Sequence, residues 1–553
     1  MKHGSRLLTL AFAAVVTSML VTALRGQNAE GQVRTQGPVS PCVLPYDIAC
    51  YLPGGTHQDP DVVRINALIA STETDTLAQI ARTAPADRYH QITLLGKAEI
   101  FDANLSVNRN LACATCHLAY AGFTGGSSPF NKTFVSQAGS VPITNAGFNS
   151  GRTTGSAHPD ARISQRKPQS YAYAPFMRPL QYNATTGDLV GGNFWDMRAT
   201  GNRLGNPAAE QAQGPPLNPL ELALPDEGCV VYRLSQSKYA SLFKTVWGAQ
   251  SFDITWPSNV ETVCNTPGGV PTQASSSTVY RPGTNPAKLN LSARDRGIAE
   301  ATFDAFAQSI AAYEASPEVS PFSSKYDYVL AGKARFTASE QRGLTLFNGA
   351  AKCMTCHENA ITPAAATPFN GVTVRQRGVV IAQQPGPLFT NQTAANIGIP
   401  KNRDIPYLYE NVPDQYGYVA NPQGSKYTDT GVYGFLTSSN NPNPNWAKLA
   451  PNFMGKFQVA TLRNVDQRPR PNFVKAYMHN GYLKSLKEVV HFYNTRDALP
   501  RCAQFSPGEK TTCWPAPEIS QNENTTIGNL GLTGRQEDDL VAFLRTLTDG
   551  FKP

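Results

Sequence analysis

Past its first two dozen residues the chain has no long hydrophobic run, so the N-terminus is the one place for a helical membrane span or an export signal. It also lacks a strong charge of either sign. The net charge is +8, about +5 once Lys2, Arg6 and Arg25 are removed, which is too mild over 553 residues to argue for nucleic acid. Charged residues are scarce at 16%, whereas 44 glycines and 42 prolines make the chain loop-rich. Large loops are tolerable where covalent cofactors and disulfides supply fixed points.

What the N-terminus does contain is Lys2 and Arg6, an apolar run from Leu7 to Leu24, and polar Arg25-Gly-Gln-Asn. That is the layout of a secretory signal over residues 1–26, with cleavage fitting after Val21-Thr22-Ala23. An uncleaved N-terminal anchor is the alternative, since the run nearly spans a bilayer. Either way the rest is expected to be exported. Cysteine usage agrees. Outside two Cys-x-x-Cys-His motifs, six cysteines fall into three local couples. In an exported protein an even remainder suggests disulfides, of which Cys42–Cys50, Cys229–Cys264 and Cys502–Cys513 is the simplest of fifteen pairings.

The two motifs are Cys113-Ala-Thr-Cys116-His117 and Cys353-Met-Thr-Cys356-His357. Each has the form of a c-type haem attachment site: two thiols add to the vinyl groups of one porphyrin, and the histidine supplies the proximal ligand to iron. Zinc or a thioredoxin-like redox pair could use the same spacing. Zinc needs further ligands, and neither copy has another Cys or His within a dozen residues. The expected cofactors are two covalent haems, with His117 and His357 as iron ligands.

The motifs sit in matching contexts. Leu95-Gly96-Lys97-Ala-Glu-Ile100-Phe101 precedes the first and Arg342-Gly343-Leu344-Thr-Leu346-Phe347 the second, each with apolar residues at helical spacing after a glycine. Thr337-Ala-Ser-Glu340 is a capping box for the second of these helices, and Thr533-Gly-Arg-Gln536 starts another with the stripe Leu540, Phe543, Leu544 and Leu547. A small cytochrome c needs this pair: one helix leading into the haem motif and a C-terminal helix crossing it. The expected fold is therefore mainly α, with two cytochrome c-like haem domains carrying long loop insertions. The domains are placed at 75–290 and 291–553, after an N-terminal extension over 31–74. The insertions run from Cys229 to Pro286 and from Ala360 to about Pro451. Neither announces chemistry.

Further ordered motifs accompany the haem sites: Phe194-Trp195-Asp196-Met197-Arg198, Glu210-Gln211-Ala212 with Gly214-Pro215, and Pro219-Leu-Glu221-Leu222. Ser320-Pro-Phe-Ser-Ser-Lys-Tyr326, Ala460-Thr-Leu-Arg463-Asn464 and Tyr477-Met-His479-Asn-Gly481 follow, the last leading into a helix from Ser485 to Tyr493. In this order they resemble the bacterial di-haem cytochrome c peroxidase superfamily, which includes the MauG-type enzymes, from about Leu95 to the C-terminus. The resemblance implies a peroxide-reactive N-terminal haem and an electron-relay C-terminal haem. Glu221 falls on the family's distal acid, which moves a proton between the peroxide oxygens. Gln211 would share that pocket, and Trp195 matches the tryptophan between the haems.

The resemblance also marks departures. Where simpler peroxidases place a methionine ligand for the second iron, this chain has Tyr493, as in the MauG-type branch, with Met478 a rival. A phenolate favours ferric or higher-valent iron. His158 lies near the histidine that blocks the first haem in some relatives. The family's inter-haem calcium site is altered, reading Arg166-Lys167, and a lysine cannot coordinate calcium, which leaves that ion in doubt. The implied activity is reduction of hydrogen peroxide with electrons from a small periplasmic cytochrome c or cupredoxin. The rivals are a MauG-like oxidase acting on a protein or organic substrate, and a passive di-haem electron carrier. A homodimer is known in some relatives.

Overall fold

Two helix crossings of the same design frame the molecule. The computed structural model describes residues 60–82, 88–125, 138–143, 161–269, 288–359, 373–376, 379–383 and 386–553, all within the unit Val43–Pro553. Helices α1 (Pro60–Arg82) and α2 (Arg88–Ile100) open it, followed by α3 (Pro207–Ala212), α4 (Glu227–Ser235) and α5 (Ala293–Glu314). The second half is built on α6 (Ala338–Asn348), α7 (Leu486–Thr495) and α8 (Gly534–Arg545).

In the first crossing α2 packs on α5, and in the second α6 packs on α8. Glycine permits both. A Cβ at Gly96 would collide with the Ser309 carbonyl of α5, and one at Gly343 with the Asp539 carbonyl of α8. The backbones touch where any side chain would hold them apart. Both partners of the second crossing start as the sequence predicts: Thr337 and Glu340 cap α6 reciprocally, and Thr533 and Gln536 do the same for α8. α5 is capped by Ser292 Oγ, which accepts from Asp295 N at 3.1 Å.

The sequence reading starts the second haem domain at residue 291; α5, which lies just past that boundary, crosses α2 and shares its core, where Ile92, Leu95, Phe306 and Ile310 are buried together. The expected edge at residue 75 likewise falls inside α1. Around the second crossing, Phe347, Phe389, Phe492, Trp514 and Phe543 form a separate aromatic core. Sheet among the described residues is limited to four two-stranded antiparallel ladders.

The second insertion ties the halves together rather than hanging from one. Its Asp414 pairs with Arg162 at 2.8 Å and its Asp429 with Arg166 at 2.7 Å. The strand residues Ala394–Ala395 and Phe457–Gln458 close it off. Disulfides join Cys229 to Cys264 and Cys502 to Cys513. Cys42, Cys50, His158 and the segment read as an export signal lie outside the described residues. Among the described residues no helix is long and apolar enough to cross a membrane.

Candidate active site: two cavities with a common wall

The first motif turns through a short helix, Cys113–Cys116, that ends on His117 with its amide donating to the Cys113 carbonyl at 3.1 Å. His117 Nδ1 faces the Phe123 carbonyl oxygen at 3.1 Å. That contact places a proton on Nδ1 and leaves the Nε2 lone pair for a metal. Burial pushes the imidazole down to about 4 against the raising effect of the Phe123 carbonyl, so it stays neutral at ordinary pH. The second motif repeats this. His357 Nδ1 faces the Phe389 carbonyl at 3.0 Å, and burial takes its imidazole to about 4 as well. Among the described residues the four motif cysteines are the ones outside disulfides. The donor sets thus suit two c-type haems: paired free thiols, each pair beside a neutral imidazole of fixed tautomer.

His117 lines a cavity of about 260 Å³ together with Cys116, Trp195, Arg198, Gln211, Asn218 and Glu221. The structure therefore brings Glu221, Gln211 and Trp195 into one space with the first histidine. Glu221 is held there by its backbone: its carbonyl accepts from Ser140 N at 2.7 Å, and the next carbonyl, of Leu222, from Val107 N at 2.8 Å. Its Oε1 accepts from Asn218 Nδ2 at 2.6 Å. Burial raises the Glu221 pKa, opposed by the Arg198 charge and the Asn218 hydrogen bond. Gln211 stands on α3, which Asn206 caps by accepting from Ala208 N at 2.8 Å.

Trp195 sits in a tight turn in which Phe194 (φ 67°) and Met197 (φ 63°) are both left-handed. Its indole N–H donates to the Lys167 carbonyl at 2.7 Å, and its own carbonyl accepts from Gln458 N at 2.8 Å. Behind the turn runs a charge network. Asp196 accepts from Arg166 at 2.7 Å and from Arg198 at 2.9 Å, while Arg166 also makes a two-bond clasp with Asp429. Arg198 and Arg166, outweighing burial, hold the Asp196 carboxylate below its usual range, and Arg166 does the same for Asp429, at about 2.

A second cavity, about 250 Å³, is lined by Cys353, Cys356, His357, Met478 and Tyr493. Tyr493 stands near the end of α7, whose start is capped by Ser485 Oγ accepting from Glu488 N at 3.1 Å. Burial raises its phenol, and the neighbouring Cys356 and Cys353 add to this. Both candidate ligands, Tyr493 and Met478, thus border the same space as His357. Asn193, Trp195, Lys167, Gln169, Ser170 and Ala174 line both cavities and form a common wall. In that wall Lys167 Nζ donates to Thr124 Oγ1. Among the described residues no group of three or more His, Cys, Asp or Glu side chains is placed to hold a metal ion.

Sequence reasoning missed Asn218, Tyr171 and Asp429. Asn218 had a signal: it precedes Pro219 and folds back to accept from Leu220 N at 3.0 Å, the habit of an Asx turn. Tyr171, its ring 5.3 Å from that of His117, and Asp429, far along the chain from Arg166, had none.

Residues 90–335 match the family described as di-haem cytochrome c peroxidase. That part of the chain is similar to the di-haem cytochrome c peroxidase family. The methylamine utilization protein MauG of Paracoccus denitrificans is 28% identical over 468 residues, covering 84% of this chain and 90% of that protein. The cytochrome-c peroxidase IdrP1 of Denitromonas iodatirespirans is 28% identical over 245 residues, 43% of this chain and 48% of its own. In fold the chain is similar to the diheme peroxidase BthA of Burkholderia thailandensis, with a TM-score of 0.52 at 23% identity, covering 83% of this chain and 86% of that one. The likeness in fold to a di-haem peroxidase agrees with a mainly helical chain carrying two Cys-x-x-Cys-His motifs.

Proposed function

We propose that this protein is an exported di-haem enzyme that reduces hydrogen peroxide at the Cys113/Cys116/His117 site. Electrons arrive from a small periplasmic cytochrome c or cupredoxin through the Cys353/Cys356/His357 site. The observation that carries the reading is that Glu221, Gln211 and Trp195 share one cavity with His117. Cys113 and Cys116 would hold one porphyrin covalently and Cys353 and Cys356 the other. When bound, the first haem offers an iron to which peroxide oxygen can attach and through which electrons can pass.

The protein's own part is proton handling. Reduction of hydrogen peroxide to two waters consumes two electrons and two protons, and the O–O bond breaks most easily when the departing oxygen is protonated. Glu221 would take a proton from one oxygen of bound peroxide and return it to the other, which leaves as water. Asn218 occupies Oε1, so Oε2 is the oxygen left to exchange that proton. Gln211 hydrogen-bonds peroxide in the same cavity, and Trp195 conducts electrons across the common wall.

The experiment that tests this is an EPR spectrum of the as-isolated ferric protein, before and after hydrogen peroxide. A high-spin signal from one haem that peroxide abolishes is the expected result. Two low-spin haems inert to peroxide, also after half-reduction, would leave a passive electron carrier. One observation favours the MauG-like oxidase as second reading: Tyr493, a phenol, borders the His357 cavity. If Tyr493 binds the second iron, Tyr493→Phe changes the low-spin signal of that haem while Met478→Leu does not.

A further inference from the structure

Two ammonium groups are buried against the cavities. Among the described residues neither has a carboxylate within ion-pairing distance, Asp466 acting on Lys475 only as a longer-range attraction. Lys167 is 7% exposed and Lys475 5%. Lys167 Nζ donates to Thr124 Oγ1 and, at 3.3 Å, to the Pro168 carbonyl. Lys475 Nζ donates to the carbonyls of Asn464 at 2.8 Å and Gln467 at 3.3 Å. An ammonium has three N–H groups, so each lysine keeps one unanswered. Lys167 borders both cavities and Lys475 the His357 cavity.

Other buried cations are treated differently. Arg162 has Asp414, Arg166 has Asp429 and Asp196, Arg463 has Asp327, and Arg496 has Glu523. Arg233, without a carboxylate, is surrounded by four backbone carbonyls and Asn265 Oδ1. A buried charge left without a partner costs several kcal/mol. A chain that pairs its arginines so consistently has two lysines waiting for an anion, at the edge of the spaces its cofactors would fill. Each c-type haem carries two carboxylates of its own.

We propose that Lys167 and Lys475 are the counter-charges of the porphyrin carboxylates, and that Lys167, on the common wall, acts on both haems at once. The inference rests on the two-haem reading above. Without those carboxylates, burial pushes the Lys167 ammonium down to about 7, with Lys484 adding repulsion, and drives Lys475 well below its ordinary value. With them the ammoniums are held protonated. Their functional effect is electrostatic: a fixed positive charge beside a haem favours its reduced form, so the pair raises the reduction potentials of the centres it touches.

The test uses the haem-loaded, full-length protein. Lys167→Met, Lys475→Met and Lys167→Arg are compared by haem content per chain and by spectroelectrochemical titration. We expect two haems per chain in each variant. In Lys167→Met both midpoints fall, the reduced-to-oxidised ratio at fixed potential dropping on the order of tenfold, which is about 59 mV for one electron. In Lys475→Met the midpoint of the Cys353/Cys356 haem falls, and Lys167→Arg keeps the wild-type values. Wild-type midpoints in both methionine variants overturn the proposal. If Lys167→Met yields no haem-loaded protein, Lys475→Met decides alone by the same criterion. A wild-type midpoint that tracks chloride concentration assigns the lysines to a solvent anion and overturns the proposal too. A wild-type chain with fewer than two haems instead overturns the reading on which it rests.

Discussion

Glu99 is fully buried and Glu221 half-buried, and what separates them further is partners. Glu221 has Asn218 on one oxygen and a cavity for the other. Glu99, fully buried on α2, finds a hydrogen bond for neither oxygen among the described residues. Glu221 has the free oxygen that the proposed proton exchange requires. Glu221→Gln is expected to keep both haems while lowering peroxide turnover by about 10²–10⁴-fold, measured at saturating donor; unchanged turnover would remove its acid–base role. Met197 poses a different question, because its backbone is held left-handed in the turn beside Trp195. Relieving its backbone should return about 1–2 kcal/mol. Its side chain, however, is fully buried, and deleting such a methionine costs about 2–5 kcal/mol. Burial wins, so Met197→Gly should lower stability by about 1–3 kcal/mol in a denaturant titration. The thiols and the two imidazoles were legible in the sequence because their chemistry is tied to fixed local spacing, whereas Glu221 was singled out only by the resemblance to a family. Lys167 was legible only as a poor calcium ligand, since nothing local tells that its ammonium is buried.

At the scale of elements, each crossing depends on one glycine. Gly96→Ala and Gly343→Ala add a single methyl where it would meet a backbone carbonyl, so the helices must separate rather than a side chain move. Each is expected to lower the thermal midpoint by the equivalent of about 1–3 kcal/mol, and a wild-type midpoint in either would refute the close approach. The capping boxes of α6 and α8 and the helix carrying Tyr493 could be read from the sequence, because caps and apolar stripes are local patterns. The partner of a helix could not. α5 shows an apolar face, but which helix that face meets depends on the folded topology, and the boundary read at residue 291 separates it from α2. The insertion from Ala360 to Pro451 was opaque for the same reason: Asp414 and Asp429 acquire meaning only beside Arg162 and Arg166.

The whole molecule carries an imbalance of buried acids that pH should reveal. Glu99 and Glu314 are both deeply buried, and burial raises both well above the ordinary glutamate value, with Asp102 adding to the effect on Glu99. A raised folded-state pKa means the folded protein binds protons more tightly than the unfolded chain. The stability these groups contribute is fully present below the ordinary glutamate pKa and is lost as pH rises toward the folded-state values. Unfolding free energy measured from acid to neutral pH should therefore carry a downward component that Glu99→Gln reduces; an unchanged slope in that variant would refute it. The wall between the cavities has a consequence of another kind. Asn193, Trp195, Lys167, Gln169, Ser170 and Ala174 each face two sites, so a substitution there is tested twice, once by each neighbour. Any change of volume or charge in stretches 167–170 and 193–195 is therefore felt on both sides of the wall, so the two centres are adjusted together rather than one at a time.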